Sequence, residues 1–484
     1  MNKEVLMNVA TAAPEVVAQA ATWMDPQVQL LIALLIGIAM LIYMILKTKI
    51  HAFLGLIIAA AVIGILGGIG QPDGIQPAAV ASAITGGFGS TLGSIGIIIG
   101  FGVMMGEIFD ATGAAERMAL TFIKIFGKKR EHWAMALTGF IVSIPIFCDS
   151  GFVIISPIAK AISKKTKRSI VQIAGPLAIG LVITHSLVPP TPGPLGVAGT
   201  FGVDIGKFIL LGIVISLPMA VTATLYTQWL GKKIYQLPAE DGEGWIRPEK
   251  RLDGEAVTIT ASRDNLPSTL MSFMPILVPI ALILLQNVLS AAKVDGSGIL
   301  QYVAFLGNPI IAVGIGLLIA IFGLGKDLTR QEALALMDKG IKSAGIIILV
   351  TGAGGALGNI LKVTKTGDYI AAEMAKTGIP IIILPFIIAT LVRFIQGSGT
   401  VAMVTAAGIT APIVNAAGAN PLLGAFACCI GSLFFSYFND SYFWVVNNLM
   451  GFRETKEQIR NWSITSTVAW ATGFVELLLL SFIM

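Results

Sequence analysis

The chain has 484 residues, of which 55% are hydrophobic and only 12% are Asp, Glu, Lys or Arg. An ordinary soluble domain carries about 25% charged residues, so this chain has too little polar surface to cover a globule in water. The formal net charge of +5 does not indicate nucleic-acid binding, because Lys and Arg cluster between apolar runs, where they orient membrane helices. The three cysteines lack the spacing of a disulfide framework or a metal site, so no metal and no cofactor are predicted.

Residues 1–26 are predicted as an N-terminal extracytoplasmic segment and not as a signal peptide, because no small-residue cleavage site suits the apolar run that follows. The apolar runs after it approach the roughly 20 residues with which a helix crosses the hydrocarbon core. They lie near residues 28–46, 50–70, 91–108, 133–163, 169–187, 204–229, 269–290, 302–324, 343–361, 378–416, 421–451 and 464–484.

Short basic clusters predict which loops are cytoplasmic. Lys47 and Lys49 place the end of the first helix inside, so the N-terminus is expected outside. Two further clusters, at 124–130 and 160–168, bracket an apolar stretch that is too short to cross the membrane twice. This stretch is therefore predicted to be a re-entrant hairpin that enters from the cytoplasm, with its tip near 147–151.

The second half repeats this plan in the opposite orientation. The stretch 378–416 is expected to begin and end outside, with its tip near 396–400, and the basic loop at 453–460 leaves the C-terminus outside. The residues at 149–153 and 397–401 are also weakly similar to each other. The predicted organisation is scaffold helices at 27–90 and 269–342, inverted repeats at 91–230 and 343–484, and a cytoplasmic linker at 231–268. Inverted repeats with broken helices are typical of secondary transporters.

Four interruptions of the apolar segments indicate the site: the two hairpin tips, the Pro-rich segment 185–194 and the segment 438–441. Irregular backbone at membrane depth is tolerated only where it is buried in protein or lines a cavity. Each break exposes helix ends, and a helix N-terminus offers free N–H groups and a partial positive charge to a carboxylate. Hydroxyl and amide side chains at the breaks suit substrate hydroxyls, which predicts a hydroxylated carboxylate as the substrate.

The predicted substrate-binding residues all lie in these breaks: Asp149, Ser150, Gly151, His185, Thr191, Gly397, Ser398, Gly399, Thr400, Asn439, Asp440 and Ser441. Three of them are predicted to take part in proton coupling, with Asp149 as the first choice because burial favours a neutral carboxyl group. His185 and Asp440 are the other two. The structural alternatives are that Asp149 and Asp440 cap helices and that His185 is a satisfied buried imidazole.

The polar residues of the second hairpin also have two possible roles. Ser398 and Thr400 are predicted to line the site, although local hydrogen bonds that close the turn are the alternative. Arg393 lies one helical turn before this tip. It is either a carboxylate clamp or the buried partner of an Asp or of backbone carbonyls, and the second role is slightly favoured.

Seven motifs together resemble the gluconate permease (GntP-type) family of bacterial organic-anion/proton symporters, over nearly all of the chain from Leu31 onward. They are TGAAER (112–117), FCDSGFV (147–153), HSLVPPTPGP (185–194), GVDIGK (202–207), QGSGTVAM (396–403), GSLFFS (431–436) and NDSYFW (439–444). The resemblance implies an all-α polytopic protein of the bacterial inner membrane, with a scaffold domain and a transport domain. It also implies a homodimer, elevator-like motion and proton-driven import of a gluconate-like sugar acid. Ser150 and Thr191 depart from the family pattern, where a bulkier residue and a second His are frequent.

Several alternatives remain open from the sequence. A sodium-coupled carrier is the nearest, because carbonyls and hydroxyls at 397–399 are potential Na⁺ ligands. Glycerate, lactate and D-serine are alternative substrates. An ion channel is disfavoured because the breaks come from two inverted halves of one chain rather than from a symmetric ring. An enzyme is disfavoured because the chain has only three His residues and no nucleophile–base or metal cluster.

Overall fold

The polypeptide is built almost entirely of helices, because backbone groups in a bilayer must find hydrogen-bond partners within their own segment. A computed structural model describes residues 25–68, 75–127, 129–239, 244–250, 252, 265–291, 299–377, 379–437 and 439–484. The predicted N-terminal segment 1–26 thus lies almost wholly outside the described residues. Phe438 and part of the predicted linker lie outside them as well.

The first half of the chain contains nine described helices and a short β-hairpin. In order, they are α1 (Pro26–Lys47), α2 (Ala52–Gly68), α3 (Pro77–Ala111), α4 (Ala114–Phe126), α5 (Glu131–Val142), α6 (Cys148–Thr166), α7 (Ile170–Leu187), α8 (Pro192–Phe201), α9 (Ile205–Lys233), β1 (Leu237–Pro238) and β2 (Trp245–Ile246). The two strands pair antiparallel in the predicted linker, with Leu237 opposite Ile246.

The second half begins with α10 and ends with α20. Its helices are α10 (Thr269–Ala291), α11 (Ile299–Gly307), α12 (Pro309–Ile319), α13 (Arg330–Val363), α14 (Thr366–Thr377), α15 (Ile383–Gln396), α16 (Gly399–Ala416), α17 (Pro421–Gly431), α18 (Ser441–Leu449), α19 (Thr455–Gln458) and α20 (Ile464–Ser481). Short π-helical and 3₁₀ turns over 320–327 continue α12, and a π-helical turn over 459–463 joins α19 to α20.

Seven helices among the described residues are long and apolar enough to cross a membrane, and α3 adds an eighth if its two parts, bent by 47°, are one span. Helix α9 carries a typical lipid-facing stripe. Its residues Leu210, Val214, Leu217, Val221 and Leu225 are all more than 40% exposed, and their spacing places them on one helix face. The chain is therefore an all-α, multi-pass membrane protein.

The order of elements from α3 to α9 recurs from α13 to α20. A long helix and a shorter one are followed by two helices that form a hairpin, then by a helix broken in two, and then by a final long helix. The predicted starts of the repeats at residues 91 and 343 fall inside α3 and α13, so these long helices begin earlier than expected. The opposite orientation of the halves stays a prediction.

The turn of the first hairpin (α5 and α6) lies earlier than predicted. Helix α5 ends at Val142 and α6 begins at Cys148, so the irregular segment is 143–147, and residues 149–151 form part of the first turn of α6. Pro145 explains the shift, because a proline disfavours helical geometry in the residue before it and donates no hydrogen bond. Asp149 is consequently a helix N-terminal residue rather than a loop residue.

The turn of the second hairpin (α15 and α16) lies where the sequence predicts it. Gly397 ends α15 in the left-handed conformation, with φ +91°, and its N–H donates to the Arg393 carbonyl at 2.9 Å. A side chain on Gly397 would lie 2.2 Å from the Asn439 carbonyl oxygen, so only glycine fits. Ser398 then caps α16 by accepting a hydrogen bond from the Val401 N–H at 3.4 Å.

The two broken helices differ in the width of their gaps. The first broken helix (α7 and α8) is interrupted over 188–191, inside the predicted segment. The second (α17 and α18) is interrupted over 432–440, a much wider gap than the predicted 438–441. The gap begins where α17 ends at Gly431, and Ser432 turns its hydroxyl back to the Cys429 carbonyl at 2.7 Å.

Contacts between the two halves bring these breaks together. Within each half, the hairpin packs on its own broken helix. Across the halves, α6 contacts α18 and α16 contacts α8, so each hairpin also contacts the broken helix of the other half. The long helices α3 and α13 pack against each other over an extensive interface. The result is a single meeting point for irregular backbone from both halves.

Candidate functional site

A cavity of about 390 Å³ lies at this meeting point and is called the central cavity below. It is bordered by α6, by the turn of the second hairpin and by parts of both broken helices. Nine of the twelve predicted substrate-binding residues line it: Asp149, His185, Gly397, Ser398, Gly399, Thr400, Asn439, Asp440 and Ser441. The sequence prediction thus selects residues that are far apart in the chain and adjacent in space.

Three predicted residues do not line the central cavity. Ser150 follows Asp149 in a helix, where successive side chains point about 100° apart. Gly151 packs on α7, since a Cβ atom there would lie 2.7 Å from Leu181 Cδ2. The Thr191 hydroxyl is used within the first break, where it donates to the carbonyls of His185 and Val188, both at 2.9 Å. These positions shape the backbone of the site.

Asp149 lies where the two halves of the chain meet. It is in the first turn of α6 and lines the central cavity together with Ser441 at the start of α18. Its Oδ1 atom is buried and has no hydrogen-bond partner among the described residues. A buried carboxylate oxygen without a partner needs a proton, a ligand or a water molecule to offset its desolvation.

Both carboxylate oxygens of Asp440, unlike those of Asp149, have hydrogen-bond partners. Its Oδ2 atom accepts hydrogen bonds from Arg393 Nη2 at 2.5 Å and from the Ser436 hydroxyl. Its Oδ1 atom accepts from the Tyr442 N–H at 3.2 Å, so Asp440 is also the N-cap of α18. The Ser436 hydroxyl in turn accepts from Trp462 Nε1 at 2.7 Å. Asp440 therefore has the capping role named as its alternative, and it has a cationic partner as well.

Arg393 fits the buried-partner role and also faces the cavity. Its side chain is only 4% exposed, and Nη1 donates to the Gly397 carbonyl while Nη2 donates to Asp440. Its Nε atom is buried and unpaired within the described structure. Arg393 thus links the turn of the second hairpin to α18 and places positive charge at the wall of the central cavity.

His185 lies near the end of α7, where the first break begins. It is 9% exposed, and its ring stacks at a tilt against Phe147 with 5.5 Å between the ring centroids. Its Nδ1 atom is buried and makes no hydrogen bond to any described residue. Both roles of His185, proton coupling and structural support of the break, stay predictions.

Three helices start at the central cavity: α6, α16 and α18. Helix N-termini carry partial positive charge and free N–H groups, so their convergence favours an anion. Neutral polar side chains at the same wall, among them Ser398 and Thr400, suit hydroxyl groups. The central cavity can therefore hold a small molecule that carries a carboxylate and several hydroxyls.

A second cavity, of about 550 Å³, has the opposite character. Its lining includes residues at or next to the C-terminal ends of α8, α13 and α16, among them Phe201, Lys362 and Ala416. Helix C-termini present free carbonyl groups with partial negative charge, which disfavours an anion. Lys362 is offset by Asp368, which lines the same cavity. The central cavity is thus the better anion site.

Sequence reasoning missed part of the polar lining, namely Ser186, Gln396, Ser432, Ser436, Tyr442, Trp462 and Ser466. A signal existed for Ser432 and Ser436, because two serines flank a Phe-rich stretch just before the predicted break. No local signal marks Trp462, which lines the cavity and donates to the Ser436 hydroxyl from a turn far along the chain.

The sequence model of the family described as "GntP family permease" matches residues 29–483. An uncharacterized permease of Haemophilus influenzae is 45% identical over 94% of this chain and 92% of its own length. The gluconate permease of Pseudomonas aeruginosa is 33% identical over 95% of this chain and 99% of its own. The crystal structure of the Alcanivorax borkumensis YdaH transporter is similar with a TM-score of 0.59 and 14% identity, over 94% of this chain and 98% of that one, which shows a common fold.

Proposed function

The chain belongs to the GntP family of permeases, and we propose that its substrate is a gluconate-like sugar acid or a related hydroxy-carboxylate, imported together with protons. Because the family consists of permeases, the protein is a transporter and not an enzyme. The sugar-acid proposal is supported by the gluconate permease relative and by the polar central cavity onto which three helix N-termini open. This convergence is the observation that carries the proposal.

The proton is assigned to Asp149. Asp440 has Arg393 as a cationic partner, whereas Asp149 has one unpaired oxygen and faces Asp440 across the cavity. An incoming carboxylate would be repelled by an ionised Asp149, and a proton on Asp149 removes that repulsion. Binding of the anion and binding of the proton therefore favour each other, which is the condition for symport. His185 and Asp440 are assisting groups in this scheme.

The proposed architecture of transport follows the predicted domains. The inverted repeats at 91–230 and 343–484 supply the hairpins and broken helices of a mobile transport domain, and the helices at 27–90 and 269–342 supply a scaffold. The repeated order of elements supports this division. We place the protein in the bacterial inner membrane as a homodimer with elevator-type motion and with both termini extracytoplasmic.

Uptake into proteoliposomes with an imposed pH gradient tests the proposed function. Gluconate should accumulate when the exterior is acidic and should not accumulate when a Na⁺ gradient replaces the pH gradient. Accumulation that requires Na⁺ would replace the proton by sodium as the coupling ion. A thermal-shift comparison of sugar acids, glycerate, lactate and D-serine with the purified protein would identify the preferred substrate, and stabilisation by none of these acids would contradict the proposal.

A further inference from the structure

The helix N-termini at the four breaks are not equivalent anion sites. Helix α6 carries Asp149 in its first turn, and α18 is capped by the Asp440 carboxylate, which already accepts the Tyr442 N–H. Each of these two N-termini therefore already has a carboxyl group of the protein beside it. They contribute to the positive potential of the cavity, but a substrate carboxylate would have to compete with Asp149 or Asp440 for direct contact with either of them.

The N-terminus of α8 is also a poor binding site for the substrate carboxylate. It begins at Pro192, and Pro194 follows two residues later, so two of its first three positions have no N–H group to donate. Thr191, which precedes it, uses its hydroxyl within the break. No residue from 191 to 194 lines the central cavity.

Helix α16 is the exception among the four. Its cap is the neutral Ser398, whose side chain accepts from the Val401 N–H and leaves the N–H groups of Gly399 and Thr400 without an acceptor in the described structure. A Cβ atom on Gly399 would make only ordinary contacts, 3.5 Å from the Ser432 carbonyl oxygen and 3.7 Å from Arg393 Nη1. Gly399 and Thr400 line the central cavity, so this N-terminus opens into it.

Arg393 provides the second observation that indicates a ligand here. Its Nη1 atom, which donates to the Gly397 carbonyl, is 3.7 Å from the position of a Cβ atom on Gly399. The buried Nδ1 of His185, which lines the same cavity, lacks a partner among the described residues. The Arg393 guanidinium group and the N–H groups of α16 thus border one cavity. Together they provide the charge and the donors that a carboxylate requires.

We propose that the substrate carboxylate binds over Gly399 at the N-terminus of α16, beside Arg393, and that its hydroxylated chain extends toward Asp149 and His185. This inference rests on the proposed function and assigns the orientation of the sugar acid within the cavity. At the far end, the unpaired Nδ1 of His185 and Oδ1 of Asp149 are available to hydrogen-bond hydroxyl groups. A polyol without a carboxylate would lack the anchoring group and should bind poorly.

Affinity measurements by isothermal titration calorimetry on the full chain in detergent test this orientation, with gluconate and the shorter glycerate as probes. Gly399→Ala adds a methyl group at the proposed carboxylate position with no protein atom closer than 3.5 Å, so it should weaken the binding of both acids about tenfold or more. Gly96→Ala is the matched control, because Gly96 is also a helical glycine with room for a Cβ atom, and it does not line the cavity. It should leave both affinities unchanged.

A second test changes the charge at position 398, and its outcome does not depend on how the methyl group of Gly399→Ala fits. Ser398→Asp keeps a good helix cap and adds a negative charge beside the proposed carboxylate, while Ser398→Asn keeps the cap and stays neutral. The Asp variant should lose binding of both acids, and the Asn variant should retain it to within a few-fold. His185→Phe preserves the ring packing on Phe147 and should weaken gluconate much more than glycerate.

These results distinguish a failure of the proposed function from a failure of the proposed substrate orientation. If the wild-type protein binds none of the acids, the proposed function fails. If it binds them and Gly399→Ala and Ser398→Asp behave like wild type, the function stands and the orientation is wrong. If His185→Phe weakens glycerate as much as gluconate, the orientation is also wrong, because the shorter acid would then reach His185.

Discussion

Arg393 at the end of the second hairpin and Asp440 at the start of α18 form a buried ion pair, with 2.5 Å between Nη2 and Oδ2. The pair fixes the turn of the second hairpin to the second broken helix, because Arg393 also donates to the Gly397 carbonyl. It also compensates the charge of Asp440, so Asp149 is left as the carboxylate at the cavity without a cationic partner in the described structure.

The first prediction concerns this pair. Arg393→Gln should destabilise the protein by about 3–5 kcal/mol, because it leaves the Asp440 charge buried and unpaired. The double variant Arg393→Gln/Asp440→Asn removes both charges and should recover most of that loss. Thermal unfolding in detergent measures both. Equal destabilisation by the single and double variants would mean that the two charges do not stabilise each other.

A second prediction separates proton coupling from substrate binding. Asp149→Asn resembles the protonated carboxyl group, so exchange of sugar acid between the two sides of a proteoliposome should continue. Accumulation driven by a pH gradient should be lost, because the variant carries no proton. Glu373→Gln is the control: Glu373 pairs with Lys376 on the surface and does not line the central cavity, so the pH gradient should stay effective in that variant. An Asp149→Asn protein that still accumulates substrate against its gradient would remove Asp149 from the coupling role.

The third prediction concerns the turn of the second hairpin. Gly397→Ala should destabilise the chain by about 1–3 kcal/mol or more and impair transport, because φ is +91° there and the methyl group would collide with the Asn439 carbonyl. The neighbouring Gly399→Ala should fold normally, since no atom is closer than 3.5 Å to its added methyl group. Comparing the melting temperatures of the two variants checks this; similar melting temperatures would contradict the described turn.

A fourth prediction concerns His132 at the start of α5, outside the membrane-spanning helices. Burial, and secondly the charge of Arg168, lower the pKa of His132 from 6.5 to about 4, although Glu131 acts in the opposite direction. His132 stays neutral in the folded protein while the unfolded chain takes up a proton below pH 6.5, so this group reduces stability as the pH falls from 6.5 toward 4.

His132→Gln should therefore gain stability relative to wild type over that pH range, and the pH dependence of uptake should not change. Thermal unfolding at several pH values, together with uptake by the same protein, measures both effects. A shifted pH profile of uptake in His132→Gln would mean that this histidine takes part in proton transfer.

The sequence predicts the positions of the breaks well where a single residue causes them. Gly397 needs a left-handed conformation, and the prolines at 189–190 cannot continue a helix, so both breaks are local properties. The sequence predicts the first hairpin turn too late in the chain, because Asp149 and Ser150 resemble loop residues. They prove to be N-terminal residues of α6, a role that short polar side chains fill equally well.

The parts that were not predicted depend on contacts between distant segments. The gap over 432–440 is wide because its polar groups are satisfied from elsewhere: Ser436 by Trp462, and Asp440 by Arg393. The sequence predicts that Thr191 binds the substrate, whereas its hydroxyl donates to the carbonyls of His185 and Val188 within the first break. Sequence spacing cannot tell a hydroxyl that faces a cavity from one that satisfies a local carbonyl.

The central claim is that two distant breaks form one binding site, and a cryo-electron microscopy structure of the full chain with gluconate bound tests it most directly. We expect density for the sugar acid in the central cavity, with its carboxylate over Gly399 and its hydroxyls within hydrogen-bond reach of Asp149 or His185. Ligand density in the second cavity beside Lys362, with the central cavity empty, would contradict the account.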